Sequence, residues 1–307
     1  MDRSDVTLER MRTFVRVAER GNLSAVAREL QIGQSSVTRH LRELEQALGV
    51  ALLSRTTRSV TLTDEGRRYY ADAVHVLHLV DLATDEARSG GRGASGTVRI
   101  SCTAALGVRH ISRLLFELQD RHPEIAIDLS LTDDRIDLVA EGTDVAIRLG
   151  PLADTSMKLR PLGASRRVLV ASPDYLTRYG RPMKPSDLMG HEAILMSNIA
   201  GSDAITLENP DGNASVTALR GRFHVDHGLA AREACLQGRG IAIAHIWLID
   251  DLLSDGRLET ILQDHVPSSV PLNMLIVPER GAIARVRLVV EFIAQRATDI
   301  PGVERIR

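Results

Sequence analysis

The stretch Gly21-Asn22-Leu23-Ser24-Ala25-Val26-Ala27-Arg28-Glu29-Leu30-Gln31-Ile32-Gly33-Gln34-Ser35-Ser36-Val37-Thr38-Arg39 decides how the front of the chain folds. Asn22 or Ser24 is placed to cap a short helix, because a side-chain oxygen there accepts an otherwise unpaired backbone N–H. Ala25, Val26, Ala27 and Leu30 form its packing face, and the small alanines let a second helix approach closely. Gln31 to Gln34 makes a short turn containing Gly33. A further helix starts near Ser35, with Val37, Leu41, Leu44 and Leu48 along one side. Upstream, Met11, Phe14, Val15 and Ala18 recur at i, i+3, i+4 and i+7, the stripe of an amphipathic helix that Gly21 ends.

The opposite side of the helix from Ser35 carries Gln34, Ser35, Ser36, Thr38, Arg39 and Arg42, crowded at its N-terminus. Hydroxyls and amides reach base edges or phosphates, and arginine binds guanine bidentately or holds phosphate. A solvated face is the plain alternative. Its placement after a short helix and a tight turn favours the second helix of a DNA-reading helix-turn-helix. Residues 51–55 and 59–63 then read as a two-stranded wing with Arg55 and Arg58 near its tip. Arginines there suit phosphate or minor-groove contact, with a structural brace as the equal alternative for Arg55.

Residues 63–90 read as one long helix. Tyr70, Ala73, Val74, Leu77, Val80 and Ala83 lie along one face of it, and such a stripe needs a partner. Residues 91–96 are a glycine-rich hinge. Gly91, Gly93 and Gly96 match a dinucleotide-binding spacing, but that motif must follow a strand and open a helix, and here a helix precedes and a strand follows.

The 307 residues suffice for two or three domains, and 44% hydrophobic and 25% charged residues are ordinary for a globular protein. The net charge is −2, unevenly spread: residues 1–68 hold 12 Arg against 9 Asp and Glu, a surplus of +3, which leaves −5 for the rest. That balance suits a phosphate reader joined to a domain with another task. No run of eighteen apolar residues and no signal-peptide core occurs, so a cytoplasmic protein without membrane partners is expected. Cys102 and Cys235 are far apart and outside any metal spacing, which favours two reduced buried thiols over a redox pair. His224, Asp226, His227 and His245 do not fall at a spacing that enforces tetrahedral ligation, so neither metal nor cofactor is expected. Nucleophile-elbow, zinc-protease and P-loop motifs are absent, which argues against an enzyme.

From residue 97 onward strand-like and helix-like segments alternate, predicting an α/β domain with a largely parallel sheet. Strand 97–102 leads into a helix from about Val108 to Arg121. Free N–H groups at that helix start, with the hydroxyls of Ser101 and Thr103 and the strand end at Ala104, form a candidate anion site, and Arg148 at another strand end adds a candidate clamp.

Several stretches resemble LysR-type transcriptional regulators. In the head they are Phe14-x-x-Val17-Ala18-Glu19-x-Gly21-Asn22-Leu23-Ser24, Gln34-Ser35-Ser36-Val37-Thr38-Arg39, Leu44-Glu45 and Leu62-Thr63-x-x-Gly66. Leu52-Leu53-Ser54-Arg55-Thr56-Thr57-Arg58 resembles the subgroup with an RTTR wing. Asn22, Ser36 and Thr38 stand where Ser, Ala and Ser are common in the family. In the body, Arg121-His122-Pro123-Glu124, Asp137 to Gly150, Ala171-Ser172-Pro173 and Gly238-Arg239-Gly240-Ile241-Ala242 resemble its effector domain.

The resemblance implies an α/β protein with three parts: a winged helix-turn-helix over 1–62, a linker helix over 63–90 and, beyond the 91–96 hinge, a two-lobed periplasmic-binding-protein-like effector domain over 97–307. Lobe I would hold 97–163 and 266–300, and lobe II 164–265. It further implies homodimers or homotetramers paired through Tyr70, Val74, Leu77 and Val80, double-stranded promoter DNA and RNA polymerase as partners, and a small-molecule effector, an organic or aromatic acid by the anion site. By family position Ser197, Asn198, Asp226 and His227 line the facing lobe. His245, where the family often has proline, is either a buried hydrogen bonder or a residue at the interlobe mouth. The alternatives are a cysteine-based redox-responsive or effector-independent regulator and, more remotely, an enzyme on a solute-binding-like fold.

Overall fold

The computed structural model describes residues 6–55, 60–89, 94–134, 142–151, 157–278 and 280–305. The chain divides into two compact units, Met1–Gly93 with Ile136–Thr143, and Ala94–Arg135 with Asp144–Arg307.

The first unit holds α1 (Leu8–Arg20), α2 (Leu23–Glu29), α3 (Gln34–Leu48), β1 (Leu53–Arg55), β2 (Val60–Leu62) and α4 (Asp64–Ser89). Thr7 caps α1 and Asn22 caps α2, the latter accepting the Ala25 N–H at 3.0 Å. Phe14, Val17, Val26, Val37, Leu41, Leu44 and Leu52 are buried together between the helices. Each such side chain contributes about 1.5–3 kcal/mol on leaving water. The wing strands pair antiparallel with Leu53 opposite Leu62. Thr63 fastens the wing to α4: its hydroxyl donates to the Ala51 carbonyl (2.7 Å) and accepts the Gly66 N–H (2.9 Å). A Cβ at Gly66 would lie 2.0 Å from the Leu52 carbonyl oxygen, so only glycine lets α4 cross there.

The expected pairing stripe of α4 needs correction. Ala73 and Leu77 are buried in the head's own core, Tyr70 and Val74 pack against it, and the Tyr70 hydroxyl donates to Glu19 (3.4 Å). A three-helix head leaves an apolar side uncovered, and the i, i+3/i+4 stripe of α4 covers it. Val80 is half-buried, and among the described residues the large apolar side chains exposed on α4 are Val76 and Leu79.

The second unit opens with β3 (Gly96–Cys102), α5 (Ala104–Leu106), a π-helical turn over Gly107–Ile111, α6 (Ser112–Arg121), β4 (Ile125–Leu131), β5 (Val145–Leu149) and β6 (Lys158–Ser165). It crosses into β7 (Arg167–Ala171), α7 (Pro173–Tyr179), β8 (Glu192–Met196), β9 (Ala204–Glu208), β10 (Ala214–Ala218), β11 (Arg220–Val225), α8 (Gly228–Leu236), β12 (Ala242–His245), α9 (Ile246–Ser254), β13 (Glu259–Ile261) and β14 (Val266–Pro267). It returns through β15 (Val270–Ile276), α10 (Ala284–Arg296) and β16 (Val303–Glu304).

Lobe I is one sheet in the order β16-β6-β15-β5-β3-β4. Lobe II joins β12-β7-β13 to β11-β8 through an Ala193–Ile241 bridge, and adds a small β10-β9-β14 sheet. The sheets are mixed, not largely parallel as expected: β3 runs parallel to β4 and β5, but the returning β15 is antiparallel to β5 and β6. Strands linked through a helix run parallel, whereas a strand re-entering from the other lobe meets no such constraint. The lobe limits shift as well. Ser165 still pairs within the lobe I sheet, and Val266–Pro267 pair with β9 of lobe II. The helix expected from Val108 begins four residues earlier, at Ala104, and absorbs the π-turn.

Candidate DNA interface and effector site

On α3, Gln34, Ser35, Thr38, Arg39 and Arg42 are exposed and Ser36 is half-buried; Val37, His40, Leu41 and Leu44 face the core. Gly33 caps the helix without a side-chain hydrogen bond, which leaves its first N–H groups outward. Asn22 is occupied in capping α2, Ser24 donates to the Gln34 side chain (3.1 Å), and Thr38 donates to the Gln34 carbonyl (3.1 Å). Arg39 and Arg42 have no ion pair or hydrogen bond among the described residues. By contrast Arg16 and Arg20 are tied to Glu29 across the α1–α2 contact. The helix is braced at its other end by Glu45, whose carboxylate accepts the N–H groups of Leu52 and Leu53 (2.9 and 3.1 Å). The Arg55 side chain and Arg58 lie outside the described residues, as do Asp137 to Glu141.

In the second unit, the carboxyl ends of β3, β4 and β5 bring Ser101, Thr103, Ala104, Asp133 and Arg148 together. Arg148 donates to the Ser101 hydroxyl (2.7 Å), and burial pushes its pKa down from the usual arginine value. At the true helix start the free N–H groups that the sequence predicts are not all free, since Asp133 accepts the Ala104 N–H at 3.1 Å. Asp133 holds the place of an anion at the start of the helix. The Thr103 hydroxyl is buried beside the Cys102 thiol, with no oxygen or nitrogen partner among the described residues. Asp133 was missed because its signal is indirect: a carboxylate two residues past a strand whose parallel neighbour opens a helix.

On lobe II, the parallel strands β8 and β11 end side by side. The Asn198 amide donates to the Asp226 carbonyl (2.8 Å), the Ser197 N–H donates to Val225 (2.8 Å), and His227 stands at the N-terminus of α8 without a capping bond. A Cβ at Gly228 would come within 3.2 Å of the Ala105 Cβ, so the two lobes' helix starts meet closely here.

His245 is a half-buried hydrogen bonder beside the first crossing between the lobes. Its Nδ1 lies 2.8 Å from the Ser165 hydroxyl, its ring stacks on Trp247, and the Trp247 indole N–H donates to the same Ser165 oxygen (2.9 Å). Burial, reinforced by Arg167, pushes its pKa down to about 3. Arg167 in turn donates twice to the Ser268 carbonyl, binding the two chain crossings between lobes.

No sequence signal announced the π-turn. Its extra residue presents Arg109 and His110 to lobe II: Arg109 pairs with Asp250 (2.9 Å) and Asp251 (2.8 Å), Arg232 adds a second pair to Asp251, and His110 Nε2 lies 2.8 Å from the Trp247 carbonyl. Burial raises the Asp251 pKa, but Arg109 and Arg232 outweigh it and hold the carboxyl below its usual value. Cys102 and Cys235 are buried, and desolvation pushes both thiols up to about 12, which disfavours the thiolate form. Among the described residues no helix is long and apolar enough to cross a membrane.

Residues 8–67 match the bacterial regulatory helix-turn-helix family of lysR type, and residues 91–298 match the LysR substrate binding domain. The chain belongs to the LysR family of transcriptional regulators, whose members are DNA-binding proteins with an effector domain and not enzymes. It is 31% identical over 294 residues to the HTH-type transcriptional activator AaeR of Escherichia coli K12, covering 95% of this chain and 94% of the relative. It is 28% identical to the regulator CrgA of Neisseria meningitidis serogroup C over 94% of this chain and 96% of that one. The full-length Vibrio cholerae virulence activator AphB is similar in structure, with a TM-score of 0.66, 30% identity and coverage of 94% of this chain and 99% of that chain.

Proposed function

We propose that the exposed N-terminal half of α3 enters the major groove of promoter DNA, with Ser35, Arg39 and Arg42 as its principal contacts and Gln34, Ser36 and Thr38 beside them. The observation that carries this reading is that Arg39 and Arg42 have no partner among the described residues, on a helix whose other face is packed. Arg39→Ala and Ser35→Ala should each weaken binding to a duplex selected by the wild-type protein, Arg39→Ala by about 1–3 kcal/mol, while the fold stays intact. The check is a titration at matched salt, since affinity for DNA falls steeply with ionic strength.

The effector is a small organic or aromatic acid held between Ser101, Thr103, Arg148 and the facing His227. Its carboxylate takes the position that Asp133 occupies. Binding then shifts the population between two arrangements of the lobes, which a regulator paired through α4 passes to its two heads. Asp133→Asn should tighten the binding of such acids and Arg148→Ala should abolish it. Thermal-shift titration with a panel of aromatic and aliphatic acids measures both. Tighter binding to wild type than to Asp133→Asn would point to a cationic or neutral ligand.

A further inference from the structure

Within the helix-turn-helix, Thr13 and His40 are the two buried polar side chains among the described residues of 8–62, and they meet each other. Thr13 sits on α1, fully buried like Phe14 and Val17 of the core stripe. His40 sits on α3, on the buried stripe with Val37, Leu41 and Leu44. Their contact, Thr13 Oγ1 to His40 Nδ1, is 3.0 Å. The Thr13 hydroxyl hydrogen is directed to the Glu9 carbonyl one turn back (2.9 Å). A hydroxyl has a single hydrogen, so His40 must donate from Nδ1 to the remaining lone pair of Thr13. Nε2 then faces the Glu9 carboxylate at 3.8 Å.

Apolar contacts are non-directional and tolerate a helix rolling or sliding against its neighbour. A buried hydrogen bond does not, because breaking it strands a donor away from water. We propose that the Thr13–His40 pair is a positioning couple for DNA reading: it fixes the roll of α3 on α1, and so fixes where Ser35, Arg39 and Arg42 meet the base edges. His40 directly follows Arg39 and stands one turn before Glu43, which pairs with Arg10 of α1 at 2.8 Å. α3 is therefore held at two successive turns, once in the core and once at the rim. The couple governs discrimination between sequences more than total affinity, since phosphate contacts tolerate small displacements that bidentate base contacts do not.

The inference rests on α3 being the groove-reading helix. Arg39→Ala, run alongside, separates the two: if it does not weaken binding, the groove reading has failed, whatever the couple does. The test measures affinity for a duplex selected by the wild-type protein against a scrambled duplex of equal length. Four variants are compared: Thr13→Val, Thr13→Ser, His40→Leu and His40→Asn. Thr13→Ser keeps the acceptor, and His40→Asn keeps a donor near the Nδ1 position; both should retain the wild-type affinity ratio. Thr13→Val and His40→Leu should lower that ratio roughly tenfold, about the discrimination of one base pair, with the salt slope of binding unchanged. A purely structural role lowers stability without moving the ratio of the folded protein, and an unchanged ratio in folded Thr13→Val or His40→Leu overturns the proposal. Should Thr13→Val fail to fold, the His40 pair decides: Asn above Leu in the ratio supports the couple, and equality overturns it.

Discussion

In the helix-turn-helix head, Arg39 and Arg42 stand on an exposed helix face with no partner among the described residues, while in the effector unit Arg109, Arg148 and Arg167 are each held by another group. The two regions use the same residue types differently. A surface that must meet an external polyanion keeps its cations available and presents them from a packed scaffold. A body built from two lobes crossed twice by the chain uses Arg109 across the lobe contact and Arg167 at the crossings to fix one lobe on the other, and holds Arg148 within lobe I on the Ser101 hydroxyl beside Asp133. Among the described residues the head's Arg39 and Arg42 thus remain available, while the body's Arg109, Arg148 and Arg167 are engaged within the body itself.

The contrast can be strained most strongly through His245. Its folded pKa, about 3, lies below the ordinary histidine value of 6.5, so the neutral form is the one the fold holds. The unfolded chain takes up the proton first as pH falls. The contribution is thus fully present above pH 6.5 and declines by about 1.4 kcal/mol per pH unit down to the folded pKa. His245→Asn, which keeps an acceptor for the Ser165 hydroxyl, should flatten that part of the acid dependence in urea unfolding of the effector unit. An equally steep profile in the variant would place the proton uptake elsewhere. A smaller effect is expected from Arg109→Ala. Its ion pairs to Asp250 and Asp251 are partly exposed, so the loss should fall between that of a surface pair and a buried one, about 1–2 kcal/mol. Faster hydrogen exchange at the start of α9 should accompany it. Unchanged exchange would mean that the π-turn does not hold the lobes.

What could be read from the sequence was local. The helix starts at Asn22 and near Gln34, the core stripe Val37-Leu41-Leu44 and the polar face opposite it all follow from spacing along one helix. So did the strand that ends at Cys102. The errors were non-local. Tyr70 and Leu77 have the spacing of a pairing stripe, but spacing cannot tell a second copy from the uncovered side of the chain's own head. The N–H groups at that helix start looked free because Asp133, which accepts the Ala104 N–H, lies 29 residues away, just past the end of a neighbouring strand. For His245 the sequence left a hydrogen bonder and a mouth residue both open, because Ser165, which holds it, lies 80 residues earlier. Arg109 gave no sign, because nothing in Gly107-Val108-Arg109-His110-Ile111 announces an inserted π-turn. The sheet direction failed for a similar reason: alternation of strand and helix predicts parallel neighbours, and β15 returns from the other lobe.

The most direct test of α3 as the reading element is methylation interference at guanine N7, an atom that faces the major groove. With a duplex selected by the wild-type protein, methylation of a few guanines should block binding, and with Arg39→Ala at least one of those guanines should cease to matter while the rest persist. The same interference pattern in wild type and variant, or no interference at any guanine N7 in a guanine-containing site, would contradict the placement of Arg39 and its helix in that groove.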